Sequence, residues 1–240
     1  GYGRTNKGVF QSSPPLFSYT YTGYQLIKWT MDDVVYDDNS NNDNSIIVIR
    51  YAEVLLNYAE AKAELGTLTD EDWTKTIGAL RQRAGISNGI SNKPMIIDSY
   101  LQQNYFPDIS DPVILEIRRE RGIELVLEEF RFYDLVRWKK GELLEMEWNG
   151  MYVPEIGKYI DLNEDGLDDV FFYSGQAPQE IVPGVIYVNV SPTLSDGQPN
   201  PFQLTNGDHG EIKWLDNVKK IWEDKYYLYP IPEVDRLVNP

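Results

Sequence analysis

Residues 46–66 read IIVIRYAEVLLNYAEAKAELG, and how they are read decides the fold class. Arg50, Glu53, Asn57, Glu60 and Glu64 recur at intervals of three and four, one narrow polar stripe on a segment otherwise covered in Ile, Leu, Tyr and Ala. That period makes a helix with neighbours expected over most of its circumference, and Gly66 is placed to close it. The next segment, TDEDWTKTIGALRQRAG at 69–85, opens with Thr69 and Asp72 in capping-box spacing and carries Trp73, Ile77, Leu80 and Ala84 at helical intervals. Gly85 ends it. Two antiparallel helices joined by a few residues, with alanines where they approach, predict a tetratricopeptide-like hairpin.

Further along, Asp111 and Pro112 form an N-cap and first-turn pair for VILEIRRERGIELVLEE, 113–129, whose second half is expected to bury Ile123, Val126, Leu127 and Phe130. RFYDLVRWKKGELL, 131–144, reads as a further short helix. Beyond it the helical period fades and Gly, Pro, Asn and Tyr accumulate, with VIYVNV at 185–190 as a short strand. The closing YYLYPIPEVDRLVNP, 226–240, is expected to be extended because of its prolines. Upstream, SYTYTGYQLIKW at 18–29 alternates like a strand or extended arm, and DDNSNNDNS at 37–45 reads as a loop. The expected fold is mainly α, with tetratricopeptide-like hairpins packed against a loop-rich region containing short strands. Its organisation is an extended segment over 1–45, a helical region over 46–145 and a loop-rich region over 146–240 packed on the helices as one domain.

Twenty-two basic against thirty-eight acidic residues give a net charge of −16, which repels phosphate backbones and anionic lipid. Nucleic acid is not an expected partner. Cysteine is absent, removing thiol chemistry, and the single His209 lies in NGDHGE, a loop by composition. No apolar run approaches the roughly 20 residues of a membrane span. The sequence begins Gly-Tyr-Gly without a charged-then-apolar leader and reads as a processed product or an excised segment. Dinucleotide, P-loop, nucleophile-elbow and zinc-protease motifs are all missing.

Three constellations carry chemistry. Glu116, Glu120, Glu124 and Glu128 lie four apart on one helix face, with adjacent carboxylates roughly 6 Å apart, near glycosidase spacing. Interleaved Arg118, Arg119, Arg121 and Arg131 offer the structural alternative of ion pairs, which would hold those acids ionised where a general acid needs a raised pKa. DLNEDGLDD, 161–169, places Asp161, Asn163 and Asp165 at positions 1, 3 and 5 of a calcium loop, with Gly166 at the turn, the Leu167 carbonyl next and Asp169 at position 9. Phe172 stands where an EF-hand needs its bidentate glutamate. Calcium ligation and a metal-free acidic Asx-turn are both open. Among 17 tyrosines and 6 tryptophans, Tyr21, Tyr24, Trp29, Trp148, Tyr152 and Tyr159 fall in loop-like sequence, where exposed flat rings suit sugar faces, and the first five are the binding candidates. Ordinary packing is the alternative for each.

Taken together, IRYAEVLLNYAEAKAELG (49–66), ALRQRAG (79–85), ILEIRRERGIELVLEEFRFYDLVRW (114–138), YIDLNEDGLDD (159–169) and YLYPIPEVDRLVNP (227–240) resemble the C-terminal half of the SusD/RagB family, surface glycan-binding lipoproteins of Bacteroidetes. The resemblance implies a SusD-like fold and a non-catalytic protein that binds oligo- or polysaccharide. Such proteins sit on a SusC-like TonB-dependent transporter of the outer membrane, exposed at the surface and anchored by lipid outside this segment. It assigns Arg119, Glu120, Arg121, Glu124, Arg131, Asp134 and Arg137 to structural ion pairs and implies no required cofactor. Family members run to about twice this length, so the segment reads as a fragment. Glu129 and Phe130 stand where the family often has glycine, which questions the local turn. The competing readings are a helical-repeat scaffold for a protein partner and a glycoside hydrolase.

Overall fold

The computed structural model describes residues 2–4, 10–12, 15–17, 20–26, 28–29, 45, 47–213 and 219–238. About 36% of the chain is helical and 11% strand, in keeping with the mainly α expectation. Helices and most strands are segregated along the sequence. Gly1–Asn44 with Leu144–Trp222 form one unit, and Ser45–Leu143 with Glu223–Pro240 form the other. Residues 223–240, grouped in the sequence reading with the loop-rich region, thus cluster with the helices.

In the helical unit, α1 spans Tyr51–Glu64 and stops where the sequence says it should. Gly66 takes φ +65°, its N–H donates to the Ala63 carbonyl, and Thr67 N–H reaches back to Lys62. These are the two bonds of a Schellman cap. Thr69 and Asp72 make the expected reciprocal capping box for α2, Asp70–Trp73. This helix runs through a π turn, Thr74–Gly78, into α3, Ala79–Arg83, which ends on a second Schellman pair at Gly85 and Ile86. The π turn has a local cause. The Thr74 and Thr76 hydroxyls donate to the carbonyls of Asp70 and Asp72, which competes with the regular ladder.

α4, Ser99–Tyr105, is capped by Asp98, and α5, Pro112–Glu124, by Asp111. α6 covers Phe130–Arg137 and α7 Glu233–Val238. One core joins Ala52, Leu56, Ala59 and Ala63 of α1 to Trp73, Ile77, Leu80, Ile117 and Leu125. Burying its leucines and isoleucines contributes roughly 1.5–3 kcal/mol each.

Three expectations fail here. α1 is not surrounded, because Tyr51, Val54, Tyr58 and Leu65 form an exposed apolar stripe while the polar-stripe residue Glu60 is buried. The second half of the 113–129 helix does not bury its apolar face. Ile123 is 64% exposed, Val126 and Leu127 are exposed and Phe130 is only partly buried, while Leu115, Ile117, Arg118 and Arg121 point inward. The reason is that α5 ends at Glu124, and Leu127 and Glu129 then take left-handed φ of 62° and 65°. The C-terminal prolines do not keep the chain extended either. Pro232 directly precedes α7, a position where a missing N–H does no harm, and its carbonyl accepts from Asp235 N–H.

In the other unit, β1 (Tyr2–Arg4) pairs antiparallel with β2 (Phe10–Ser12). The remaining strands are β3 (Asn149–Val153), β4 (Tyr159–Ile160), β5 (Val170–Tyr173), β6 (Ile186–Asn189) and β7 (Gly210–Lys213). β3 pairs antiparallel with β7 across a register shift between Asn149 and Tyr152. β5 is central in the three-stranded sheet, antiparallel to β4 and parallel to β6. Inward residues Val153, Val170, Phe172, Val188 and Ile212 meet Phe17, Val190 and Leu204 in its core. The 18–29 stretch forms no strand over its described residues 20–26 and 28–29. It bends at Tyr21–Gly23, and Thr22 carbonyl accepts from Met151 N–H. Of the predicted loop at 37–45, only Ser45 lies within the described residues.

Candidate ligand-binding surface

The four glutamates spaced along one face of α5 and just beyond it are consumed by arginines. Arg81, from α3, donates through Nε to Glu120 at 2.7 Å and through Nη2 to Glu116. Arg50, just before α1, grips Glu128 through Nε and contacts both the carboxylate and the carbonyl of Glu124, while Arg83 donates to Glu124 at 2.5 Å. Burial alone would push the Glu124 carboxyl up, but the hydrogen bonds of Arg83 and Arg50 outweigh it and hold it below the usual glutamate value. A general acid needs the opposite.

A second knot ties α5 to α6 and α1. Arg121 Nε donates to both oxygens of buried Asp134 at 2.8 and 2.7 Å, and its Nη1 reaches Asn57. Arg137 bonds Asp134 at 2.9 Å and takes both oxygens of Glu60 at 2.6 Å, with Trp138 Nε1 donating to the same carboxylate. Burial pushes Glu60 up, yet Arg137 and Trp138 leave it lowered overall. Arg119 pairs with Asp98 at 2.5 Å. Arg131, grouped with these residues in the sequence, lies over the Trp138 ring and pairs with no carboxylate among the described residues.

The strand unit offers a different surface. On β5 the burial alternates, with Val170 and Phe172 inward and Phe171 and Tyr173 half-buried on the outer face. Strand pairing sets Tyr159 and Tyr187 on either side of Phe171. The three rings form a row across the sheet, with centroids 4.8 Å apart for Tyr159 and Phe171 and 5.6 Å for Phe171 and Tyr187. Tyr159 and Tyr187 hydroxyls lie 3.3 Å apart, and Val182 N–H donates to the Tyr187 hydroxyl. The hydroxyl contact with Tyr187, with partial burial and the fields of Tyr187, Asp168 and Glu180, raises the Tyr159 phenol pKa. The rings are tilted to one another by 52° and 42° and the outer two converge at their hydroxyls, so the row is a short, uneven aromatic strip across three strands. It carries hydroxyls and neighbouring carboxylates along its margin. Tyr159 was one of the rings noted in the sequence, but Phe171 and Tyr187 were missed. Their signal was the alternation in VFFY and IYVN.

The five aromatics singled out from sequence are all exposed: Tyr21, Tyr24, Trp29, Trp148 and Tyr152. The backbone contact of Thr22 with Met151 brings the Tyr21–Tyr24 bend alongside β3, which carries Tyr152. Tyr21 itself rests on Phe202 at 5.4 Å, and Lys220 lies 6.0 Å from the Trp148 ring.

The 161–169 loop turns its acids inward on its own backbone. Asp161 accepts from the N–H groups of Glu164, Asp165 and Gly166, and Asp169 from those of Leu162 and Asn163. Asn163 accepts from Asp165 N–H, and Asp165 from Leu167 N–H. Burial opposes the Asp161 charge, but the Gly166, Glu164 and Asp165 amides lower its pKa overall. Gly166, at φ +86°, makes the sharp turn possible. No three acidic or histidine side chains converge as a metal centre would need among the described residues.

A sequence model described as the SusD family matches residues 2–240. The chain belongs to the SusD family. No curated protein and no solved structure gives a significant match. SusD-family proteins bind glycans, are associated with the outer membrane, and are typically binding proteins without catalytic activity. No helix among the described residues is long and apolar enough to cross a membrane.

Proposed function

We propose that this SusD-family protein binds oligo- or polysaccharide at the bacterial cell surface without cleaving it and delivers it to a SusC-like TonB-dependent transporter. The observation that carries the reading is the outward row Tyr159, Phe171 and Tyr187, an apolar strip edged by polar groups in a chain of this family. Tyr21, Tyr24, Trp29, Trp148 and Tyr152 are proposed as further contacts, because exposed rings stack on sugar faces while nearby acids and amides bond hydroxyls. A role in catalysis finds no support in Glu116, Glu120, Glu124 and Glu128, each of which is bound by an arginine. The lipid anchor and the tetratricopeptide-like character of the hairpin belong to the same proposal.

Native electrophoresis through gels containing a panel of polysaccharides, with reducing ends assayed in the same samples, tests this. Retardation without new reducing ends is expected, weakened at least tenfold in Tyr159→Ala and Tyr187→Ala. New reducing ends would make the protein a hydrolase. A second reading, a scaffold for a protein partner, draws on the exposed stripe of α1 at Tyr51, Val54, Tyr58 and Leu65. It gains if no glycan in the panel retards the protein. Calcium at Asp161, Asn163, Asp165, the Leu167 carbonyl and Asp169 is a separate proposal carried by the loop's spacing. Melting midpoints unchanged by chelator, in the wild type and in Asp165→Ala alike, would remove it.

A further inference from the structure

The stretch 155–187, which carries all three rings of the outward row, holds seven acids and a single base, Lys158. These charges are unequally engaged. Lys158 pairs with Glu155 at 2.6 Å, and Asp161 and Asp169 accept backbone N–H groups of their own loop. Asp168 and Glu180 are exposed, and their fields add to the Tyr187 contact in raising the Tyr159 phenol pKa. Backbone pairing places both acids at this end of the row. Asp169 N–H donates to the Ile160 carbonyl and its own carbonyl accepts from Ile186 N–H, so the chain at Asp168 leads into β5 between the ends of β4 and β6. Glu180 stands two residues before Val182, whose N–H donates to the Tyr187 hydroxyl.

The two phenol hydroxyls, 3.3 Å apart, share one hydrogen bond, which leaves one O–H to point outward. The polar end of the row therefore offers a donor beside carboxylate acceptors. A sugar hydroxyl both donates and accepts, so it satisfies the two kinds of group at once. A ligand carboxylate or sulfate only accepts, and it would face like charges. Protein sites hold such anions with arginine or lysine, and the one base of this stretch is already paired.

We infer that the aromatic row selects uncharged glycans and rejects those bearing uronate or sulfate, with Asp168 and Glu180 as the residues that set this specificity. The inference rests on the glycan-binding reading above and narrows its substrate class. Repulsion between exposed charges extends over about 30 Å at 0.01 M salt and about 3 Å at 1 M. Rejection is therefore expected to be strong in dilute buffer and to fade as salt is added.

Titration calorimetry tests this with a neutral polysaccharide that retards the protein in the gel panel, and with the same polysaccharide carboxymethylated. The carboxymethylated form is expected to bind about tenfold more weakly at 0.01 M salt and within about threefold at 1 M. Asp168→Asn combined with Glu180→Gln is expected to bring the two forms within about threefold at 0.01 M salt as well. Both side chains are exposed, and the single variants, each expected to recover part of the difference, serve if the double variant melts early. Glu233→Gln with Asp235→Asn alters two exposed acids of α7, changes the net charge by the same amount and is expected to leave the difference in place. Equal binding of the two forms, or retention of acidic polysaccharides alone, would overturn the inference and leave the glycan-binding reading standing. A difference erased equally by the α7 variant would overturn it by assigning the effect to net charge, and one unchanged at 1 M salt by assigning it to bulk. If no polysaccharide of either kind is retained, the reading and the inference fall together.

Discussion

The two units of this chain solve the problem of burial by opposite means. The helical unit carries charge into its interior. Arg121 and Asp134 are 5% and 3% exposed at their side chains, and Arg50, Arg81 and Arg137 each join two carboxylates. The strand unit keeps its sheet core apolar, with Phe, Val, Leu and Ile meeting across the sheets, and holds its buried Asp169 with backbone amides instead of a cation. Its pairs Lys158 with Glu155 and His209 with Asp208 lie in solvent. The difference teaches where the charge pattern of the sequence has meaning. In the helical unit the spacing of Arg and Glu specifies which helix meets which, whereas in the strand unit the chain's excess of acid is mostly surface.

The harshest way to break this comparison is to delete the centre of the charge knot. Asp134→Ala leaves Arg121 and Arg137 facing a buried gap and is expected to cost about 3–5 kcal/mol, as breaking a buried pair does. Phe172→Ala, a cut of the apolar core in the other unit, is expected to cost a similar 3–5 kcal/mol by a different route, cavity formation. Urea unfolding followed by circular dichroism measures both. A cost below about 1 kcal/mol for Asp134→Ala would mean that the knot is not structural.

Acid distinguishes the units more gently. The carboxyls of Glu60 and Glu124 sit below the ordinary glutamate value in the folded chain, because their arginine bonds outweigh burial. Their contribution is therefore complete above the unfolded value of about 4.3 and is lost as pH falls through the lower folded values. Helical signal is expected to melt earlier with each step down in pH from about 5. In Glu60→Gln that slope is expected to flatten. An unchanged slope would place the acid sensitivity elsewhere, with Asp161 the first alternative because its pKa is lowered too.

The 161–169 loop offers a smaller test on the strand side. Asp161→Ala removes the acceptor of three backbone N–H groups and is expected to lower the melting midpoint measurably, as loss of a capping residue does. Asp165→Ala, which frees one amide, is expected to lower it by less than half as much. Equal effects in a thermal melt would show that the loop is held by something other than its own amides.

These contrasts follow what could be read from the chain. Helix ends were legible because their causes are local. Thr69 with Asp72, Asp111 with Pro112, and Gly66 and Gly85 each act within a few residues. The ion-pair residues were legible as a group, since opposite charges at helical spacing have few other uses. Their partners were not, because Arg50 reaches Glu128 across 78 residues and only the assembled core brings them together. The aromatic row failed to show for the same reason. Tyr159, Phe171 and Tyr187 become neighbours only through the register of three strands. The early stop of α5 was hidden because no glycine or proline marks it. Two residues that dislike the left-handed region, Leu127 and Glu129, occupy it regardless.

That last feature yields the smallest and most pointed test. Glu129 precedes α6 at φ +65°, a conformation that strains a side chain bearing a Cβ and that glycine adopts freely. The turn exists because it must re-aim the chain so that Asp134 meets Arg121, and the buried pair outweighs the local strain. Glu129→Gly is therefore expected to stabilise the protein by about 0.5–1 kcal/mol, the relief of strain exceeding the added freedom of the unfolded chain. Gly66→Ala, which places a Cβ at a comparable positive φ in the cap of α1, is expected to destabilise by a similar 0.5–1 kcal/mol. If Glu129→Gly instead weakens the fold, the glutamate contributes an interaction of its own to the turn. The charge pattern of the helical unit would then extend one residue further than its ion pairs reveal.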